Sequence, residues 1–521
     1  LAQTVVTQVK EENVSEFSIL YLDPADIRIA GTCKAPVCLT DLNLDQVFEK
    51  LSKQKPDYDL ERIFLQPLTD INEARYRQDV FRDLRDTELE KSFLAFSASM
   101  RSVSSTLDSL EKIVSSYHKK GWFLEAVLQY CSACALLSQA LSEAELHSSA
   151  LLKLRSHISS YLAAQSFTEL TSQARSLRDE LDAIDFTVTV KNLTITVRKY
   201  EGEPDYGKAL EETFIRFSQG ECRNYLVPYS RTAGVNHIQA QVLEGVAKLW
   251  PDTFDRLDAF CEKHAAFADH TLQCFARDIQ FFLAWLDLTH ELEALGYYFN
   301  IPELLEAHSG SRACELFDIA LATKQDTKIV CNDFSLEGNE HIIVVTGPNQ
   351  GGKTTFARAL GQIHYLAALG CPVQGTKAAL LATDAIFTHF EREESLATHH
   401  GKLYEELLDM RDCLEKTTER SLLILNEVFS STTVHDSLML STRVMKKIIE
   451  LGPFAVWVTF LHELSDMHPL IVSMTGGIVP EEPSLRTFRI TRRKADDLAY
   501  ARALAEKRGL LYKQLRTRLQ K

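Results

Sequence analysis

Eight consecutive residues, Gly347-Pro348-Asn349-Gln350-Gly351-Gly352-Lys353-Thr354, combine glycines, one lysine and one hydroxyl at the spacing G-x-x-x-x-G-K-[ST]. Glycines at Gly347, Gly351 and Gly352 let the backbone curl until several N–H groups point at one anion. A helix N-terminus behind them adds its positive end. In this pattern Lys353 reaches the β- and γ-phosphates of a nucleotide such as ATP, and the Thr354 hydroxyl ligates Mg2+. A second pair, Asn426-Glu427, closes the apolar run Leu422-Leu-Ile-Leu425. In a P-loop ATPase the first residue at this place holds Mg2+, usually through its water shell, and the second polarises the attacking water. Glu427 is therefore the candidate general base. Asn426 is a weaker Mg2+ partner than an aspartate, because a neutral amide adds no negative charge.

These residues need a strand, a tight loop and a helix behind them. Residues 342–345 form an apolar run of strand type, and 355–369 carry Phe356, Leu360, Ile363, Leu366 and Ala367 at helical spacing before Gly370 and Pro372. Further strands are predicted near 328–331, 385–390, 422–425 and 454–460, so the chain from 318 onward is α/β. Residues 41–183 are almost wholly helical in pattern, with predicted helices at 44–52, 70–96, 111–116, 122–141 and 143–182, as in an antiparallel bundle or lever. Residues 186–190 and 193–197 alternate like a hairpin about Lys191-Asn192. A polar stretch follows to 236, and helical pattern returns over 237–299. The first 40 residues are mixed, with a possible strand at 17–22.

Bulk properties narrow the function classes. The chain has 521 residues, 45% apolar and 25% charged, enough for two to four domains. Neither a leader nor an apolar run of membrane-spanning length is evident, and the expected setting is cytoplasmic, nucleoid-associated if bacterial. Eleven scattered cysteines suit a reducing compartment; Cys131, Cys134, Cys33 and Cys38 are expected in core packing rather than on zinc. The net charge of −15 argues against a protein that coats nucleic acid by bulk charge. Residues 486–521 nevertheless hold 12 Lys or Arg against 3 Asp or Glu, a basic tail expected to be helical that suits phosphates, an acidic partner or plain solvation. His462-Glu463 with Asp466 breaks the H-E-x-x-H zinc pattern.

Together these segments resemble the MutS family of DNA mismatch-repair ATPases. Thr346-Gly-Pro-Asn-Gln-Gly-Gly-Lys-Thr-Thr355 is similar to that family's TGPN-x-GGKST, which extends the nucleotide contacts to Pro348, Asn349 and Thr355. Val330-Cys-Asn-Asp333 sits where the family has a short nucleotide-contacting segment, which implies a role for Asn332. Ile386-Phe-Thr388, Glu394-Ser-Leu-Ala397, Glu406 and Thr418-Glu-Arg-Ser-Leu422 match further family segments. Asn426-Glu-Val-Phe-Ser-Ser-Thr-Thr433 occupies the position of DE-x-GRGTST. Gln66-Pro-Leu-Thr-Asp70 and Arg77-Gln-Asp-Val80 resemble the start of the helical lever. The resemblance implies a multidomain chain: an N-terminal segment 1–40, a lever at 41–183, a reduced clamp-like insert at 184–236, the lever again at 237–317 and an α/β P-loop ATPase domain of ABC type at 318–521. It further implies ATP and Mg2+ as cofactors, DNA as partner and a homodimer through the ATPase domains. No mismatch-reading domain is expected before the lever and no nuclease-like extension after the ATPase domain, which points to branched or distorted DNA.

Four departures bear on turnover. Gly401 stands where the family's signature Ser would reach the partner's γ-phosphate, Asn426 replaces Asp, Phe460 takes the switch-histidine position, and Ile329 takes that of an adenine-stacking aromatic ring. Each removes charge, a donor or a stacking face, so slow turnover is expected. Two other readings stand beside a DNA-gripping ATPase. One is an ATP-sensing scaffold with little hydrolysis. The other, a different ABC-type motor, lacks an LSGGQ-like signature before Asn426.

Overall fold

The computed structural model describes residues 18–23, 35–192, 194–202, 237–308, 310–325, 327–390, 401–478 and 486–494. It divides into two compact units: residues 17–85, 146–151 and 277–521 in one, and 1–16, 86–145 and 152–276 in the other. The chain is helix-rich and multidomain, with mixed sheets.

The unit that carries the phosphate-loop motif is built on a six-stranded sheet. Its strands are β1 (Ile342–Thr346), β2 (Ile386–His389), β3 (Leu422–Asn426), β4 (Phe454–Val458), β5 (Ile471–Ile478) and β6 (Arg486–Arg492), in the order β2-β3-β4-β1-β5-β6. All pairings are parallel except β5 with β6. Every residue of β1, β3 and β4 is buried, the continuous apolar texture of strands covered on both faces. On one face Val344, Leu425 and Trp457 pack with Phe429, Met410 on α2 (Lys402–Lys416), and Met445 and Ile448 on α3 (Val434–Leu451). α1 (Lys353–Ala368), which follows the phosphate loop, packs on β3 and β4. It stops where Gly370 turns left-handed at φ +75°, two residues before Pro372. A four-stranded sheet (Glu303–Leu305, Lys377–Leu381, Arg312–Leu316, Asn332–Ser335, in that order) belongs to the same unit.

Helices Leu44–Gln54 and Ile71–Asp83 also lie in this unit, where Phe48 stacks on Phe64 and Phe81 meets Phe282. Arg77 is fully buried and donates to the carbonyls of Leu20 (2.8 Å) and Leu369 (3.2 Å), which offsets the desolvation of its guanidinium. Gln362 on α1 joins three segments: its amide nitrogen donates to Leu42 O and Asp318 Oδ1, each at 2.8 Å, and its oxygen accepts from Ile319 N at 2.9 Å.

The other unit is helical. Thr87–Leu110 packs on Ser116–Glu143, with Gln165–Asp182 and Pro251–Lys263 against them. Phe123 meets Phe267, and Tyr130 hydrogen-bonds Tyr161. Ser116–Glu143 is long and apolar enough by length and composition to cross a membrane, which the sequence reading did not expect; half of its most apolar window is buried inside the protein. Cys131 and Cys134 lie in that buried face, and Cys38 is buried in the first unit. The hairpin pairs Phe186–Lys191 with Thr194–Lys199. Val197 rests on helix His237–Leu249 at Gly245.

Several boundaries differ from expectation. The span 111–116 is a turn between helices, since 111–112 close the first helix and Ser116 opens the next. The helices expected at 70–96 and 143–182 are each divided, at 84–86 and at Ala164, the second opens only at Ser149 after a non-helical stretch at 144–148, and the span 237–299 holds three helices. Around Asp86 the aspartate side chain caps a new helix by accepting from Glu88 N. Residues 18–22 form bends, because the Ser18 hydroxyl takes up Leu20 N. The strand expected at 328–331 lies at Asn332–Ser335. Arg486–Arg492, expected in a helical tail, is the sheet's edge strand, in keeping with its alternating Arg486, Phe488, Ile490 and Arg492. Expectations placed on Cys33, on most of the insert (203–236), on Glu394 to Ala397 and on the tail beyond 494 lie outside the described residues.

Two outcomes test this core. Gln362→Leu leaves Leu42 O, Ile319 N and Asp318 with one partner fewer each, and should cost about 2–4 kcal/mol in urea unfolding. His364 on α1 is wholly buried, and desolvation lowers its pKa from 6.5 to about 4. With the folded value depressed, the unfolded chain takes up the proton first, so this stability is present above pH 6.5 and lost as pH falls towards 4. His364→Gln should flatten the fall in urea midpoint between pH values of about 7 and about 5.

Candidate functional site

The phosphate loop begins where β1 ends, at the carboxyl edge of a parallel sheet where such folds hold ligands. β1 lies between β4 and β5, a central place that brings three strand ends near the loop. Gly347 adopts φ +116°, and a Cβ there would lie 3.0 Å from Gly476 N on β5. The position therefore requires both a left-handed backbone and no side chain. Lys353 opens α1 and is buried; its ammonium donates to Gly347 O at 2.7 Å and to Asn349 Oδ1 at 3.2 Å. That places the cation inside the curl of the loop, beside the N-terminus of a helix 16 residues long.

β3 lies one strand beyond β4 from β1, yet α1 brings its Thr354 to the end of β3. Thr354 Oγ1 donates to Asn426 Oδ1 at 3.0 Å, so the hydroxyl of the glycine motif and the first residue of the second pair are in direct contact. Glu427 follows with φ +52°, and its N–H donates to Val458 O at 2.9 Å. Phe429 is also left-handed, at φ +61°, and is wholly buried in the sheet core. Two non-glycine residues in this sparsely populated region within three positions mark a loop whose shape is fixed by its surroundings. Ser431 adds a hydrogen bond to the carboxylate of buried Glu406 on α2 at 3.3 Å.

A cavity of about 510 Å³ opens over these groups, a size typical of small-ligand sites. Of the residues chosen from sequence, Asn332, Asn349, Gly351, Gly352, Lys353, Thr354, Thr355 and Glu427 line it. Gly347 and Pro348 shape the loop behind it, with Pro348 O accepting from Gly351 N at 3.2 Å, and Asn426 reaches the site through Thr354. Ile329 is in the wall. Gly401 caps α2, with none of the described residues within 4 Å of a Cβ placed on it, and Phe460 is 45% exposed. Sequence reasoning did not find Lys328, Gln325 or Phe488, which also line the cavity. Phe488 comes from an edge strand more than 130 positions after the loop, and only its pairing brings it there. Alternation of Arg and apolar residues around it was the available signal.

The donor set fits an Mg2+ that arrives with phosphates better than a bare ion. Thr354 and Asn426 offer neutral oxygens in contact, and Glu427 is the carboxylate in the cavity wall. Mg2+ is held by oxygen ligands, commonly one or two carboxylates together with substrate phosphates.

The family model described as MutS domain V matches residues 343–482, from β1 through β5. The DNA mismatch repair protein MutS of Shouchella clausii is 28% identical over 284 residues, covering 54% of this chain and 32% of that protein. Its namesake in Brevibacillus brevis is 30% identical over 168 residues, 32% of this chain and 20% of the relative. The Thermotoga sp. protein of the same name is 32% identical over 136 residues, 26% and 17% of the two lengths. The aligned segments thus span a third or less of these relatives. The phosphate loop, the Thr354–Asn426 contact and strands β1 to β5 lie in the matched region, so this chain's similarity to the MutS family is carried by domain V.

Proposed function

We propose that this chain is a MutS-like ATP-binding protein that grips branched or otherwise distorted DNA in an ATP-dependent manner, in DNA repair or recombination, with slow hydrolysis. The contact between Thr354 and Asn426 carries the proposal, because it joins the two nucleotide motifs at one end of one cavity. Lys353 would take the β- and γ-phosphates, with Gly347, Pro348, Asn349, Gly351, Gly352 and Thr355 forming the cradle and Asn332 on the base side. Mg2+, held by Thr354 and Asn426, would neutralise charge between phosphate oxygens. Glu427 would accept the proton of the attacking water as its oxygen bonds the γ-phosphorus and the bond to the bridging oxygen breaks, leaving ADP and phosphate.

The helical segments 41–183 and 237–317 would act as lever and 184–236 as a reduced clamp. ATP between two ATPase domains of a homodimer would set lever geometry, so that binding energy at one site biases the other. The cytoplasm, or the nucleoid in a bacterium, is the corresponding setting. The basic strand end, Arg486, Arg489, Arg492, Arg493 and Lys494, suits phosphate or acidic surfaces. A second reading is an ATP-sensing scaffold that engages a protein partner; the neutral Asn426 favours it, since it leaves less charge to hold Mg2+.

DNA binding tests the first reading. A purified dimer should change its preference for branched over linear duplex DNA when ATP is added at matched salt, and an unchanged preference would sink it. Turnover separates the two readings. Glu427→Gln should abolish most ATP hydrolysis if the chain is an enzyme, and change little if it is a sensor. Asn426→Asp should raise Mg2+-dependent turnover if the missing charge limits the rate; no gain would reject that cause.

A further inference from the structure

At the end of β1 away from the phosphate loop, two histidines lie side by side. His341 directly precedes β1 and is 7% exposed. Its backbone is fixed on both sides: its N–H donates to Leu470 O at 3.2 Å, and its carbonyl accepts from Ala455 N at 2.9 Å. Its Nδ1 lies 2.9 Å from Asn339 O. A carbonyl only accepts, so in the neutral imidazole Nδ1 carries the proton and Nε2 keeps the lone pair. Nε2 is buried and has no hydrogen-bond partner among the described residues.

The ring of His308 is centred 5.5 Å from that of His341, with 34° between their planes. Burial first, and then the neighbouring His341, lower the His308 pKa, against the Gly452 backbone and Glu419, which raise it. The ring is thus neutral at neutral pH. Its Nδ1 is also buried without a partner among the described residues. So is the hydroxyl of Ser311, whose N–H donates to His308 O at 3.0 Å. Gly452 closes α3 at φ +74°, and a Cβ there would lie 3.8 Å from Glu419 Cγ, which sets a carboxylate side chain near the pair.

Buried polar atoms are nearly always partnered, so two bare nitrogens in neighbouring rings point to a shared ligand. Late first-row divalent ions take neutral imidazole, and ligating histidines commonly donate their other N–H to a backbone carbonyl, as His341 does to Asn339. Metal–nitrogen bonds of about 2.1 Å hold two such nitrogens no more than about 4.2 Å apart. Rings 5.5 Å apart between centres meet that limit when their nitrogens turn inwards. His308 is only half-buried, and the terminal torsion of a histidine is soft enough for its ring to turn. Among the described residues no group of three or more His, Cys, Asp and Glu is placed to hold a metal ion, so the pair offers two nitrogens and water completes the shell.

We propose that His308 and His341 form a two-imidazole site for a late first-row divalent metal ion, which ties the turn at His308 to the start of β1. At roughly 3.3 Å per residue, β1 sets this site about 20 Å from Gly347, so it is distinct from any Mg2+ in the nucleotide cavity.

Titration calorimetry of the full chain with Ni2+ tests the assignment. The chain has 16 histidines and 11 cysteines that offer background sites, so the readout is the difference between proteins. His308→Asn and His341→Asn should each weaken one equivalent of Ni2+ about tenfold or more, with no further loss in the double variant, because one ion is shared. His364→Gln, a buried histidine outside the pair, should keep that equivalent. Excess Mg2+ should not displace it, since Mg2+ prefers oxygen ligands. X-ray absorption of the unaltered chain with one equivalent of Ni2+ should show two imidazole ligands, a readout that needs no variant to fold. Sulfur ligation, an affinity unchanged in either histidine variant, or displacement by Mg2+ would each overturn the proposal.

Discussion

The hydrogen bond from the Thr354 hydroxyl to the Asn426 amide oxygen is the contact on which the organisation of the site depends. It requires β1 and β3 to run parallel with β4 between them, so that α1 can start beside the end of β3. Neighbouring strands lie about 4.8 Å apart, so the two strand ends are separated by roughly twice that, and the first turn of α1 closes the gap. The fully buried apolar strands fix the sheet, and the sheet fixes the distance. An aspartate at 426 would accept the same hydrogen bond and add a charge. The asparagine keeps the geometry and omits the charge, so an Mg2+ ion at this place would have one negative ligand fewer.

The phosphate loop and the acidic loop are held by different means. The first is positioned by backbone conformation and by the Gly347–Gly476 approach, which leaves room for N–H groups to face a ligand. The second is held by its own side chains: Phe429 is buried in the sheet core although its backbone is left-handed, and Ser431 is tied to Glu406. Anchored in this way, Glu427 sits on a loop with little freedom to reorganise, which suits a group that has to be in place before a reaction begins. The edge strand β6 adds a third means. It is fastened by side chains from outside its own sheet, at Asn332 and at the Glu340 carboxylate that pairs with Arg492.

Much of this was legible in the sequence because it is local. The order of strand, glycine loop and helix from Ile342 to Ala368 follows from an apolar run, a fixed motif and helical spacing, and Asn426-Glu427 follows from the strand that precedes it. Long helices were recognised in place but not in length: single residues such as Ala164 and short caps such as Asp86 divide segments whose apolar period continues across the break. The members of the site that escaped notice are non-local. Phe488 reaches the cavity because β6 pairs antiparallel with β5 and bulges opposite Gly477, and no pattern within 486–492 reveals that partner. Arg486–Arg492 itself read as part of a basic tail, since charge dominates its composition while its alternation carries the strand signal.

Nucleotide binding is the central claim, and its most direct test is equilibrium titration of the purified full chain with ATP and Mg2+, beside the variant Lys353→Ala. Saturable binding that is strongly weakened in the variant is predicted, since Lys353 is the cation buried within the loop that would face the phosphates. Absence of binding by the unaltered chain, or equal binding by both proteins, would contradict it.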